Sequence, residues 1–197
     1  MHWDRLFEDL EGQLASEWEA ERAALEAESE RLRISRLGLR ERLRALRARD
    51  ATITVELPAG RTTTGVVEEI GADWFAIADA APARGTALIP LASVRGIRMD
   101  HGALLSSLSP DAAAGAASAV RERMTLGFVV RDLARRRVPL TVEDVDGHRR
   151  HGTVDRAGAD HLDLALHDAG SPRRAQDVRG HVVIVFASIA AIDVGPH

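Results

Sequence analysis

Four histidines crowd one stretch of the chain, His148, His151, His161 and His167, with Asp155, Asp160 and Asp163 among them. Imidazoles beside carboxylates can hold a divalent metal or relay protons. His151 and His161 are expected on neighbouring strands and could approach, but the spacing fits no zinc signature. Solvated strand-face histidines are the simpler expectation. There is no cysteine, so no thiolate chemistry and no cysteine metal cage. No Ser-His-Asp order and no acid–base pair stands out. The chain reads as a non-enzyme with no metal and no cofactor.

The other available chemistry is anion binding. Lysine is absent, so every fixed positive side chain is a guanidinium. Arg31, Arg33, Arg36, Arg40, Arg42, Arg44, Arg47 and Arg49 cluster near the end of a helical segment. Arg135, Arg136 and Arg137 close a second helix, and Arg173, Arg174 and Arg179 lie in a loop. Candidate contacts to a nucleic acid or protein partner are Arg40, Arg44, Arg47, Arg135, Arg136, Arg173, Arg174 and Arg179. Trp74 joins them, because Trp74-Phe75 in a period-two strand sends one ring outward. The competing role for these arginines is to offset helix dipoles and solubilise the surface. A net charge of −4 argues against a broadly basic nucleic-acid coat.

The elements that position these groups follow from periodicity. Residues 1–50 read as one long amphipathic helix, or two sharing an axis, with Gly12 and Gly38 as weak points. Trp3, Phe7, Leu10, Leu14 and Trp18 form a stripe, and Leu25 and Leu32 continue it at heptad spacing, which marks these seven as a helix interface of coiled-coil type. Residues 1–30 carry ten acids against two arginines, and residues 31–49 eight arginines against Glu41. An antiparallel dimer of such helices would set −8 against +7.

Beyond residue 50 the period becomes two, and the chain repeats itself. Thr54-Val55-Glu56, Gly60, Gly65, Val67, Gly71-Ala72-Asp73 and Ala78 recur 87 residues later as Thr141-Val142-Glu143, Gly147, Gly152, Val154, Gly158-Ala159-Asp160 and Ala165. Such self-similarity has to be read before any local motif. Strands are predicted at 53–57, 62–67, 74–78, 87–91 and 94–99, and again at 140–143, 149–155, 161–165, 181–186 and 189–194. Leu39, Leu43 and Leu46 align with Leu126, Val130 and Leu133, so each copy opens with a helix, the second over 123–137. The closing strands align at an offset of 95, as in Ile89/Ile184 and Ile97/Ile192. The second copy therefore carries eight extra residues between its third and fourth strands. Four segments result: the helix at 1–50, a first small barrel at 51–100, an Ala/Ser-rich connector at 101–122 with Ser109-Pro110 as a helix start, and a helix plus second barrel at 123–197. Whether the two copies bury their edges against each other or stand apart is open at this level.

A leading helix, Val55-x-Leu57-x2-Gly60-Arg61-x3-Gly65-x-Val67 and Ile89-x2-Ala92-Ser93-Val94-x2-Ile97 resemble the Sm-like fold, which includes the bacterial Hfq family. Val142, Gly147, Gly152, Val154, Ile184, Ala187-Ser188-Ile189 and Ile192 match in the second copy. The chain also resembles a protein type of high-GC actinobacteria, which implies no activity. The resemblance implies a mainly β fold with helices: a long N-terminal helix, then two tandem Sm-like five-stranded small barrels, each preceded by a helix. The family's RNA-reading Asp and Asn fall on Gly71 and Phe75, and on Gly158 and Leu162, while its Lys-His falls on Pro90-Leu91 and Val185-Phe186. The expected function is therefore a scaffold or protein-interaction module that self-associates through the N-terminal helix, with a protein partner or a second copy. An RNA- or DNA-binding regulatory protein using the arginine clusters is the alternative. No apolar run reaches the length of a membrane span and nothing resembles a signal peptide, so a cytoplasmic protein is expected.

Overall fold

The computed structural model describes residues 3–80, 85–109, 120–170 and 174–195. The chain divides into two compact units, residues 1–39 and 40–197, and mixes helix with sheet. In the first unit, α1 (Trp3–Ser35) runs without interruption through Gly12. Helical geometry lapses just before and at Gly38, and α2 (Leu39–Arg47) starts afterwards. Of the two readings of residues 1–50, one long helix or two, the chain takes the second, with the interruption at the weak point Gly38. Glycine weakens a helix because it has the most backbone freedom to lose. At Gly12, flanked by helix-forming neighbours, that cost is absorbed. From Arg40 onward, α2 belongs to the sheet unit and buries Leu43 and Leu46 completely among sheet residues.

Among the described residues the second unit carries ten strands. Those of the first copy are β1 (Thr52–Glu56), β2 (Thr62–Ile70), β3 (Trp74–Asp79), β4 (Thr86–Pro90) and β5 (Gly96–Arg98). Then come α3 (His101–Ser106) and α4 (Leu126–Arg136). The second copy contributes β6 (Pro139–Asp144), β7 (Arg149–Ala157), β8 (His161–Leu166), β9 (Gly180–Val185) and β10 (Ile189–Val194). They form one antiparallel sheet in the order β5-β1-β2-β3-β4-β10-β6-β7-β8-β9. Each copy has five strands in the same order. The sheet is open and not closed into a barrel, because β4 pairs with β10 and not with β5.

Register is duplicated with the sequence. Thr54 faces Thr64 as Thr141 faces His151, and Phe75 faces Ile89 as Leu162 faces Ile184. The bulge between Val67 and Glu69 recurs between Val154 and Arg156, and it bends the long second strand of each copy. Two cores result. Leu43 and Leu46 pack with Ile53, Val55, Phe75, Ile77 and Ile89, and Leu126 and Val130 pack with Leu140, Val142, Leu162, Leu164 and Ile192. Trp74, Ala76 and Leu88 belong to first-copy strands but lie in the second core. That is why β3 reads Trp-Phe-Ala-Ile with no alternation, while its counterpart β8 reads His-Leu-Asp-Leu.

Within the region expected to be a connector, α3 is an additional helix. Asp100 caps it, accepting a hydrogen bond from the Ala103 amide at 2.9 Å. The Pro110 start and the alanine run through residue 119 lie outside the described residues.

Two glycines are required by close approach. A Cβ on Gly65 would stand 1.7 Å from the Ala78 carbonyl oxygen, and one on Gly152 would stand 2.2 Å from that of Ala165. The second strand presses on the third in each copy where the sheet bends. Gly152→Ala is expected to destabilise the chain by about 2–4 kcal/mol in urea denaturation, because backbone must move to admit the methyl. A loss below about 0.5 kcal/mol, the size of an ordinary surface change, would show that the bend does not need glycine.

Candidate functional site

The nominated arginines are engaged within the sheet unit. Arg44 donates to the buried Glu122 carboxylate at 2.7 and 3.0 Å and pairs with Glu41 at 3.3 Å. Arg40 donates to the Glu122 carbonyl and stands 3.6 Å from its carboxylate. Arg47 and Arg121 share Glu69 at 3.2 and 2.8 Å. Arg135 and Arg136 both pair with Asp132, and Arg179 pairs with Asp168. Arg174 is exposed before a 3₁₀ turn at Ala175–Asp177, and Arg173 lies outside the described residues. A guanidinium already held by a carboxylate must give up that partner before it can bind a phosphate, which for the exposed pairs of Arg135, Arg136 and Arg179 costs about 0–1 kcal/mol each.

Trp74 is not an outward platform. It is buried, and its indole N–H donates to the Met124 carbonyl at 3.0 Å, which also accepts from the Ala72 amide at 2.9 Å. The Asp73 carboxylate accepts from the Leu126 amide at 2.7 Å and so caps the start of α4. The first copy's turn thereby positions the second copy's helix. In the second copy the equivalent Asp160 pairs with its neighbour His161, at 2.8 Å, and its side chain is 86% exposed.

The histidines do not gather into one cluster. His151 meets His167, ring centroids 5.3 Å apart and edge-on, and not His161, which sits at the far end of β8. The His167 Nδ1 donates to the Asp168 carbonyl at 3.1 Å, and its Nε2 lies 2.8 Å from the Thr153 hydroxyl. The His151 Nδ1 lies 3.0 Å from the Thr141 hydroxyl, and its Nε2 is buried with no hydrogen-bond partner. Burial, and then the His167 charge, push the His151 pKa below its ordinary 6.5. Asp144, Asp146 and His148 could converge on a cation, but their arrangement has an internal explanation. The Asp144 carboxylate accepts from the amides of His148 and Asp146 at 2.9 and 3.1 Å and from Arg150 at 2.7 Å. Burial raises this carboxyl, yet those donors prevail and hold its pKa at about 2. It closes the β6–β7 turn.

The feature with most chemical content is one that sequence reasoning missed. A cleft of about 960 Å³ opens where the two copies join, lined in part by Arg61, Thr63, Glu143, Arg149, His151 and Asp193. In the first copy Glu56 pairs with Arg98 at 2.8 Å. In the second copy the equivalent pair is Glu143 and Asp193, two acids. Arg61 reaches from the first copy to bridge them, at 2.8 Å to Glu143 and 2.5 Å to Asp193, while Arg149 adds 3.1 Å to Asp193. The acid at 193 opposite the arginine at 98 was the available signal, visible once the copies are aligned at an offset of 95.

No helix among the described residues is long and apolar enough to cross a membrane.

Two outcomes follow from these groups. Arg61→Ala should cost about 2–4 kcal/mol by leaving Glu143 and Asp193 underpaired. Adding Asp193→Arg, which restores the first copy's pairing, should recover most of that loss in urea denaturation. For His151, a folded pKa below the unfolded value means that the unfolded chain binds the proton first. Its contribution is present above about pH 6.5 and is lost as pH falls through the folded pKa. His151→Asn should therefore flatten the decline of stability below pH 6.5, measured by urea midpoints at several pH values.

Comparison with family models, curated proteins and solved structures finds no match to this chain.

Proposed function

We propose that the chain is a non-enzymatic scaffold that self-associates through α1, with a sheet unit built from two Sm-like halves. The observation that carries the reading is the uncovered apolar stripe of α1. Phe7, Leu10, Leu14, Trp18, Leu25 and Leu32 are all exposed, Trp18 by 70% and Leu25 by 68%. Trp3 begins the helix, but its side chain lies outside the described residues. Fully burying one such side chain is worth about 1.5–3 kcal/mol, so a second helix on this stripe gains several such increments. The Sm-like reading of each half rests on the shared strand order, the bend glycines and the leading helices.

The helix break reverses the sign of the electrostatics. Of the +7 assigned to residues 31–49, the arginines from 40 onward belong to the sheet unit, and Arg40, Arg44 and Arg47 pair with acids there. α1 itself carries ten carboxylates against Arg5, Arg22, Arg31 and Arg33, and the last two pair with Glu28 and Glu30 of the same helix. Two α1 helices brought together therefore repel through their polar faces and attract through the stripe. Salt screens the former and leaves the latter.

Sedimentation equilibrium of the full chain is expected to show a dimer that tightens between 50 and 500 mM salt, roughly a Debye length of 14 Å against 4 Å. Leu14→Glu with Trp18→Glu should abolish it while leaving the urea transition of the sheet unit unchanged. A wild-type chain whose association is unaffected by that pair of substitutions would defeat the reading.

A further inference from the structure

The exposed stripe of α1 has a spacing that reads the same from either end. Phe7, Leu14, Leu25 and Leu32 are separated by 7, 11 and 7 residues. Inserting four residues into a heptad pattern is a stutter, which locally unwinds the seam and keeps it on one face of the helix. Inside the eleven-residue step lie Trp18 and Arg22; Leu10 and Ser29 complete the seam in the outer steps, and all eight residues are exposed. A two-fold axis between Glu19 and Ala20, close to the middle of Trp3–Ser35, therefore matches the seam to its own reverse. It sets Phe7 opposite Leu32, Leu10 opposite Ser29 and Leu14 opposite Leu25, and brings Trp18 to within a residue of Arg22.

Arg22 discriminates between the two ways of pairing the helices. In a parallel, in-register pair it would face its own copy, two guanidiniums side by side between the Trp18 and Leu25 layers. Among the described residues Arg22 makes no ion pair, whereas Arg31 and Arg33 are held by Glu28 and Glu30. Antiparallel pairing gives Arg22 the Trp18 ring of the second copy, and a guanidinium is attracted to the face of an indole. Its aliphatic stem packs on the apolar seam while its head reaches the edge. The carboxylates agree in sign. Residues 3–18 carry five acids against Arg5, and residues 19–35 five acids against Arg22, Arg31 and Arg33. Antiparallel pairing sets the more acidic half against the less acidic one and opposes the two helix dipoles.

We propose that two copies of this chain pair antiparallel through α1, with Leu14 of each facing Leu25 of the other and Arg22 facing Trp18. The proposal rests on self-association through α1 and assigns its orientation and register, on grounds separate from the charge balance of residues 1–49. Each α1 leads at its C-terminal end into its own sheet unit. The two points of attachment then stand about 50 Å apart, the length of a 33-residue helix. A parallel pair would hold them side by side.

Because the wild-type chain has no cysteine, disulfide formation in the full chain reads the register. A mixture of Leu14→Cys and Leu25→Cys chains should oxidise to a mixed dimer at least about tenfold faster than either variant alone. Within an antiparallel pair the two residues 14 lie eleven residues apart along the axis, roughly 16 Å and beyond disulfide reach. Sedimentation of the reduced variants establishes the dimer before oxidation. Phe7→Cys with Leu32→Cys, at the ends of the seam, gives the same reading where the central pair weakens association. Leu14→Cys oxidising as fast alone as in the mixture would overturn antiparallel pairing and leave self-association standing. A dimer that forms neither cross-link would overturn the register. A wild-type chain that stays monomeric would defeat the α1 reading itself, and this inference with it.

Discussion

The antiparallel pairing of β4 with β10 is the constraint on which the rest of the sheet unit depends. It converts two five-stranded copies into one sheet and places Trp74, Ala76 and Leu88 in a core to which their own strands do not belong. A strand covered on both faces no longer needs a polar side. The contrast between β3 and β8 follows directly: Trp74 and Ala76 become His161 and Asp163 where the cover is absent. Arg61 completes the joint by charge, bridging Glu143 and Asp193 on the neighbouring strands β6 and β10 of the second copy. Apolar burial, strand pairing and an ion-pair bridge therefore act at one place, and the Asp73 cap on α4 holds the helix that covers it.

Duplication divides the chain into what had to be kept and what was free to change. Bend glycines, bulge positions and the facing pairs of each hairpin coincide between copies because they set strand curvature and register. A one-residue slip would turn a core face toward solvent. Changes collect where the copies have different neighbours. The swap of Arg98 for Asp193 is tolerable only because Arg61 lies across the joint. The exposure of Asp160, against the capping role of Asp73, is another case of one turn meeting two environments.

Much of this was legible before any coordinates. All ten strands stand within a few residues of their expected places, because alternation and the repeat mark them independently. Other features depend on distance in sequence. Trp74 was ambiguous because a doubly buried strand loses the period-two signal that says which side faces water. His151 meets His167 and not His161 because the β7–β8 hairpin pairs Ala157 with Leu162 beside its turn and Gly152 with Leu166 at its open end, which leaves His161 at the turn. The ion pairs of Arg40 and Arg44 were not legible because their shared acid, Glu122, lies 82 and 78 residues along the chain. The break near Gly38 could be marked as a weak point, but the relative strength of Gly12 and Gly38 depends on what packs around them.

The order in which the chain is synthesised gives the uncovered face of β3 and β4 a further meaning. The first copy leaves the ribosome before β10 supplies Ala191 to its core, and before second-copy residues such as Leu126 and Ile192 cover the outer face of β3 and β4. Until then Trp74, Ala76 and Leu88 face water beside the unpaired edge of β4, the kind of surface that recruits other nascent chains. The second copy, translated later, presents His161 and Asp163 on the corresponding face of its third strand. The polar substitutions in the second copy and the apolar ones in the first thus divide the risk of misassembly unequally in time. Most of it falls on the first half of the molecule while the second half is still being made.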